Sequence, residues 1–478
     1  MKKGVLRQVM SKPRWTARSV LLAGTVLCGC TIAGIDYHRP DFAVPASYYQ
    51  SRSYATAKGA SETWWQGLND ATLNRLVAAG LQQNLELKAA KERLISAEVL
   101  RRGTGRPQQV NGDLEGSSVF SRRESQNGST STDTAEVGAT YVFDLFGEFQ
   151  RRSERAVADR DAAFYQMATA RLALIDAITR TYIQARFFQR GAAVTRKTIQ
   201  LRQQILATVE ELQAARTLLA LDVERTKLQV ASAKADLPGF IASYESSVFA
   251  LATLLDRDAA EIFAMMQGSY SQPYPASQPE LGVPATLLRN RPDVLLAEAQ
   301  LRGAAADIGI TEAELYPSLE VSGSVRATRG AGALYQIGPA LNLPLFNRPV
   351  LRAFHKSAIA EAKATEYDYR TAVRSAVEEV QSQQSSLRAA RERTAAQTRA
   401  VNLGAKVADL ARETFRASEI TLFDLLNTEE ALRDNELALI TARRDLALAW
   451  SSLQISLGKG WAPHQDPGSA VVAVKPSE

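Results

Sequence analysis

"YVFDLFG" at Tyr141–Gly147 and "LNLPLFN" at Leu341–Asn347 decide how this chain folds. Each closes a segment in which apolar and polar residues alternate, and each opens onto a run almost free of Gly and Pro. From Glu148 to Leu237 there is no Pro and a single Gly, Gly191; from Leu351 to Leu457 Pro is again absent and Gly404 is the only Gly. Alternation before the knot and apolar spacings of three and four after it, as in Val373, Val377 and Val380, predict a strand that turns directly into a long helix, twice over.

The knots lie 200 positions apart, and other stretches match at nearly the same offset. "LLALDVER" (Leu218–Arg225) meets "ITLFDLLN" (Ile420–Asn427) 202 positions on, which sets Asp222 against Asp424. "ALATLLD" (Ala250–Asp256) meets "SLQISLG" (Ser452–Gly458) at the same 202. The 478 residues therefore read as two copies of one unit. Each copy starts with a helical stretch, Leu73–Arg102 or Thr286–Glu314, ended by a break at Pro107 or Pro317. Two alternating segments follow: Val110–Phe120 and Ala135–Phe143 in the first copy, Ser318–Ala327 and Tyr335–Leu343 in the second. Ser121–Thr134, with no apolar residue, reads as a polar loop between strands. The long helical runs have turn signals near Gln213–Leu221 and Ala417–Thr421, so each is expected to fold back as a coiled-coil hairpin. The expected organisation is a signal at 1–29, an N-terminal segment at 30–72, repeats at 73–257 and 286–458, a Pro-rich linker at 258–285 and a tail at 459–478.

The formal net charge of +6 would by itself suggest nucleic acid or anionic lipid as a partner. All of the excess sits in the first 29 residues, at Lys2, Lys3, Arg7, Lys12, Arg14 and Arg18; without them 51 basic residues face 51 acidic ones, and no nucleic-acid bias is left. That basic start, an apolar stretch at Val20–Leu27 and the "LCGC" at Leu27–Cys30 read as a secretory signal. The motif resembles the bacterial lipobox, in which cleavage precedes the last Cys and lipid is attached to its thiol, here Cys30; the plainer alternative is an ordinary signal peptide with incidental cysteines. Two or more acyl chains make a stable anchor. Thr31 after the Cys, by resemblance to the sorting of such lipoproteins, points to the outer membrane. With Cys30 the only Cys left after cleavage, no internal disulfide is available to the fold.

Four alternating segments of about ten residues suit tilted crossings of a bilayer. Four strands cannot close a barrel, and an open sheet edge is not tolerated in lipid, because each unpaired N–H or C=O there costs several kcal/mol. Closure must come from other subunits. Pro339 within a strand is discordant unless it lies at an edge or a bulge. The alternative is a soluble sandwich carrying helical arms.

At this point the residues resemble the outer-membrane factor family typified by TolC, and more closely its lipidated, NodT-like branch in multidrug efflux systems. The resemblance is carried in order by "GIDYHRP" (Gly34–Pro40), "WWQGLNDATLNRLVAAGLQQNLELKAA" (Trp64–Ala90), "FDLFG" (Phe143–Gly147), "RNRPDVLLAEAQLRGAAADIG" (Arg289–Gly309), "ELYPSLEVSGS" (Glu314–Ser324) and "LPLFN" (Leu343–Asn347). It implies an α+β membrane protein, a homotrimer whose protomers each give four strands to a 12-strand barrel and helical hairpins to a tunnel across the periplasm. It further implies a passive duct without catalysis or cofactor, docked on a periplasmic adaptor protein and an inner-membrane pump, exporting drugs or other small toxic compounds. A duct for polypeptide secretion is a second reading, and a lipid-anchored coiled-coil scaffold without a pore is a third, of another class.

In such ducts acidic residues ring the periplasmic aperture. The resemblance places Asp424 on that ring, Asn427 where relatives often carry another Asp, and Asp222 opposite Asp424 by repeat symmetry; a ring of this sign favours cations. The Arg that forms part of the gate in some relatives is replaced by Ile420. The plain alternative for Asp424 is a solvated carboxylate at a helix tip. Phe143, Phe146, Leu345 and Phe346 are expected near the bilayer boundary, where aromatics are enriched, with Gly147 and Asn347 permitting the turn into the helix. His38, His355 and His464 lack metal-ligand spacing, "GAGALY" (Gly330–Tyr335) lacks the third Gly of a dinucleotide loop, and pairs such as Glu429-Glu430 read as exposed coiled-coil faces. No enzyme and no metal site is expected.

Overall fold

A computed structural model describes residues 32–40, 62–122, 129–267, 271–276, 290–417 and 419–462. Cys30 and His464 lie outside them. Asp70 starts the first helix, α1 (Ala71–Gln83): its Oδ1 accepts from Thr72 N at 2.9 Å and Leu73 N at 3.1 Å. The single helix expected over 73–102 is broken at Asn84, whose backbone is extended and whose Oδ1 accepts from Leu87 N at 2.9 Å, so that α2 (Leu85–Gly103) begins afresh. The Asn84 Nδ2 donates to Leu254 O at 2.9 Å and ties the break to a distant helix.

The strands are β1 (Val110–Arg122), β2 (Ser129–Phe143), β3 (Ser318–Thr328) and β4 (Gly332–Asn342), in one antiparallel sheet of order β1-β2-β3-β4. β2 reaches into the expected loop: Ser129–Thr134 pair with Ser117–Arg122. A polar segment can do this because the ladder is made by backbone groups. Hydroxyls add to it, Ser117 Oγ lying 2.6 Å from Thr134 Oγ1 and Ser118 Oγ donating to Asp133 Oδ1 at 2.6 Å. Pro339 opposes Val321 in β4, an edge strand, the position that tolerates a missing donor.

The sheet is apolar on one face, which in β2 is the more exposed one. Along β2, Ala135, Val137, Ala139, Tyr141 and Phe143 are exposed, while Glu136, Gly138, Thr140 and Val142 between them are half-buried. The register continues that face through Val321, Val325 and Leu319 of β3 to Pro339, Tyr335 and Leu341 of β4. Tyr335 is 74% and Ile337 85% exposed. The opposite face carries Glu136 against Arg326, 2.7 Å apart. A water-soluble sheet is patterned the other way round.

Beyond the knots run α3 (Glu148–Ala214) and α4 (Ala220–Leu255) in the first copy, α7 (Arg348–Arg416) and α8 (Leu422–Ser456) in the second. The hairpin turn at 215–219 falls within the stretch expected for it, and α7 ends at Arg416 and α8 begins at Leu422 on either side of the other expected turn. α4 passes through Pro238, which lies on an exposed face. Residues 258–285, expected as a linker, carry α5 (Ala259–Met266), and α6 (Pro292–Ala313) opens the second copy with Pro at its first position. Among the described residues no helix is long and apolar enough to cross a membrane.

Contacts divide the chain into two compact units that do not follow the repeat: Met1–His38, Leu100–Val157 and Arg302–Lys363 form one, Arg39–Val99, Ala158–Leu301 and Ala364–Glu478 the other. The first holds the sheet and both knots. The second has a core around the fully buried Trp450, Tyr182, Ile175, Ile178, Leu73 and Leu76, with Trp64 against Trp450 at 5.8 Å between ring centres.

Candidate functional site

Asp424 is the third residue of α8, after the N-cap Thr421. The carboxylate accepts from Thr421 N at 3.2 Å and Thr421 Oγ1 at 2.6 Å, while Asp424 N donates back to Thr421 Oγ1 at 3.2 Å. These bonds hold its pKa below the usual carboxylate range, the Thr421 hydroxyl first and the backbone N–H second. Asp222 is the matching residue of α4: Leu219 N donates to its Oδ2 at 3.2 Å, and Arg225 stands 4.0 Å from its Oδ1. Both expected aperture residues thus also start their helices. Asn427, one turn on from Asp424, is exposed.

Beneath them the two hairpins share one apolar cluster: Ile205 and Val209 of α3, Val223 of α4, Ala411 of α7, and Leu422, Leu425 and Leu426 of α8. Ile420 packs on its edge. A side chain at this position is thus spent on packing, where the resemblance would put a guanidinium.

Farther along the hairpins, ion pairs cross between helices. Arg202 of α3 pairs with Glu430 of α8 and donates to Gln229 O of α4 at 2.8 Å; Arg433 of α8 pairs with Asp236 of α4. Burial lowers the Arg202 pKa, and the nearby Arg433 lowers it further. Glu429 corrects the expectation of an exposed pair with Glu430. It is only 6% exposed, and Arg412 of α7 grips it in a fork, Nε to Oε1 at 2.5 Å and Nη2 to Oε2 at 3.0 Å. That bond leads the causes that raise the Arg412 pKa. The pairs were illegible because each joins residues of different helices.

The knots share a backbone turn, Leu145 N to Phe143 O at 3.0 Å and Leu345 N to Leu343 O at 2.9 Å, but not their surroundings. At the first, Gly147 has φ +81°, and a Cβ there would stand 2.6 Å from Ile32 Cγ2. Ala33 N donates to Phe146 O at 2.8 Å; Arg151 Nε donates to Ala33 O at 3.0 Å, and its Nη2 pairs with Asp36 at 3.0 Å. Asp144 accepts from Phe149 N at 3.2 Å and Gln150 N at 3.0 Å and so caps α3. Tyr316 stacks on Phe146, 4.6 Å between centres and 17° between planes, and Phe143 meets Tyr141 edge to face at 4.9 Å.

At the second knot Pro344 replaces the capping Asp144, and Leu345 and Phe346 are bare, Phe346 at 99% exposure. Asn347, expected to make the turn as Gly147 does, makes it at ordinary negative φ; its carbonyl accepts from Val350 N at 2.9 Å and Leu351 N at 3.1 Å.

Arg291 grips Asp293 with Nε at 2.9 Å and Nη2 at 2.7 Å, while its Nη1 reaches Glu379 of α7 at 2.7 Å and the carbonyl of Ser456, at the end of α8, at 2.9 Å. Burial pulls its pKa down, but Asp293 and Glu379 outweigh burial and the net direction is up. Sequence showed the Arg-Pro-Asp triplet but not Glu379, 88 positions away.

The family model "Outer membrane efflux protein" matches residues 76–257 and 283–459. The chain belongs to the outer membrane efflux protein family. Relatives of this efflux protein include Nodulation protein T of Rhizobium leguminosarum bv. trifolii, 28% identical over 94% of this chain and 98% of the relative. Another is the pyoverdine export outer membrane protein OpmQ of Pseudomonas aeruginosa, 26% identical over 91% of this chain and 94% of the relative. The solved outer-membrane channel OprN superposes with a TM-score of 0.80 and 26% identity, over 90% of this chain and 99% of that one. The efflux protein is therefore an outer-membrane efflux duct with an α+β channel fold, in a family of channel proteins, not enzymes. The pore-free scaffold reading is set aside.

Proposed function

We propose that the protein works as a homotrimer whose three sheets close a 12-strand barrel in the outer membrane, with the hairpins continuing it as a tunnel through the periplasm. The observation that carries this reading is the sheet itself: apolar on one face, largely polar on the other, and open at both β1 and β4. Lipid rules out such edges unless another chain pairs with them. Cys30 carries the lipid anchor, just before Ile32, which packs on Gly147 at the first knot. An inner-membrane pump and a periplasmic adaptor supply the energy, and the cargo is drugs or other small toxic compounds, in line with the export function named for relatives such as OpmQ.

Asp424 lines the periplasmic aperture with Asn427 and Asp222 nearby, and its lowered pKa keeps it ionised at neutral pH. In planar bilayers the purified protein is expected to give discrete conductance steps with cation preference. Asp424→Asn keeps the side chain's shape and should shift the reversal potential toward non-selective. A protein without conductance would end the duct reading; an unchanged reversal potential would remove Asp424 from the aperture. Labelling with radioactive palmitate should be lost in Cys30→Ser, and persistent labelling would refute the anchor.

A further inference from the structure

We propose that the bare second knot is completed by a second copy of this chain, with Arg106 of that copy lying over the ring of Phe346 as Tyr316 lies over Phe146. This rests on the trimeric-barrel reading and names a contact within it.

The repeat supplies the argument. Tyr316 is the residue before Pro317, at the start of β3, and Arg106 is the residue before Pro107, ahead of β1. Because β2 and β3 are antiparallel, the end of β2 lies beside the start of β3, with Phe143 opposite Leu319. That places Tyr316 on Phe146, the aromatic just past the end of β2. Phe346 holds the same position past the end of β4. On one side β4 has β3, with Ser318 opposite Asn342, and Tyr316 there is already stacked on Phe146. The other side is open. Among the described strands β1 has the other free edge of the sheet, and it runs in the same direction as β3 because both oppose β2. A β1 paired there would bring the 3-10 turn ahead of it, Arg106–Gln109, to that end of β4, and Arg106, matched to Tyr316 by the Pro that follows each, to the ring of Phe346. Four strands cannot curl far enough for the chain's own β1 to reach β4, so the β1 comes from a second copy.

The exposures agree. Phe346 is 99% exposed, Leu345, Val350 and Phe354 beside it are also exposed, and Arg106 and Val110 are open to solvent at the other edge. The chemistry agrees as well. A guanidinium over an aromatic face is favourable within about 6 Å of the ring centre. It also stacks flat, as the Tyr316 ring does on Phe146.

The test is thiol crosslinking in the full-length protein, purified from outer membranes in detergent. Phe146→Cys with Tyr316→Cys serves as the reference, and a short bis-maleimide should link it within one chain. The pair Arg106→Cys and Phe346→Cys should link between chains, giving dimers and trimers on a denaturing gel, whereas neither single variant does. Monomers only from this pair, with a trimeric native mass, would overturn the contact and leave the trimer standing; a monomeric native mass would overturn both. A second readout does not depend on cysteines. Arg106→Glu should lower the dissociation temperature of the native trimer and have no such effect in a Phe346→Ala background. Equal shifts in both backgrounds would overturn the proposal.

Discussion

Gly147 shows what one residue contributes at the knot. Its φ of +81° and the 2.6 Å from a would-be Cβ to Ile32 Cγ2 leave no room for a side chain. Gly147→Ala is expected to destabilise the protein by about 1–3 kcal/mol through strain and displacement of the segment around Ile32 and Ala33, read as a lower unfolding temperature; an unchanged one would show that this segment yields freely. The sequence pointed to Gly147 and Asn347 alike, since a turn former after Leu-Phe signals a change of direction, but it did not show that only Gly147 needs a positive φ. At Asp424 it showed an acid but not its partner, although Thr421 three positions earlier is a capping-box spacing. The folded pKa of Asp424 lies below its unfolded value, so its contribution is present above the ordinary carboxylate range and is lost as pH falls through the folded pKa. Hydrogen exchange in the first turn of α8 should therefore stay slow from neutral pH to about 4 and then speed up relative to mid-helix amides. Thr421→Ala should speed it at every pH, with a cost of about 1 kcal/mol.

Among the elements, those with strong periodicity were legible and their joints were not. The start of β1 at Val110 follows from the break at Pro107 and the alternation that begins after it. The break at Asn84 was hidden because an Asn within an apolar-periodic run is tolerated in helices, and only its bonds to Leu87 N and Leu254 O reveal a cap. The extra strand length at Ser129–Thr134 was hidden because the segment has no apolar residue, whereas a ladder made by backbone groups needs none. Packing at the tips rests on Leu425, 3% exposed and shared among four helices. Leu425→Ala should cost about 2–5 kcal/mol and make the turns at 215–219 and 417–421 sites of early proteolysis; cleavage at the wild-type rate would mean that the cluster does not hold the tips. Arg291→Ala frees two carboxylates that are themselves partly exposed, so about 2 kcal/mol is expected, measured by denaturant unfolding.

At the scale of the molecule, the two copies legible in the sequence are not two bodies, since each compact unit draws on both. Alternating segments and long helices repeated at one offset were legible from periodicity, while the channel fold and its outer-membrane setting came from the family resemblance that the quoted motifs carry. The asymmetry between the knots was not legible, because Asp144 and Pro344 differ by a cap that only coordinates display. The first knot is covered from within and the second, with the edges of β1 and β4, is not, which supports the proposed completion by other copies. The most direct test is the native mass of the full-length protein purified in detergent from outer membranes. Three chains per particle is the predicted result, and a particle of one chain, with its strand edges unpaired, would contradict the account.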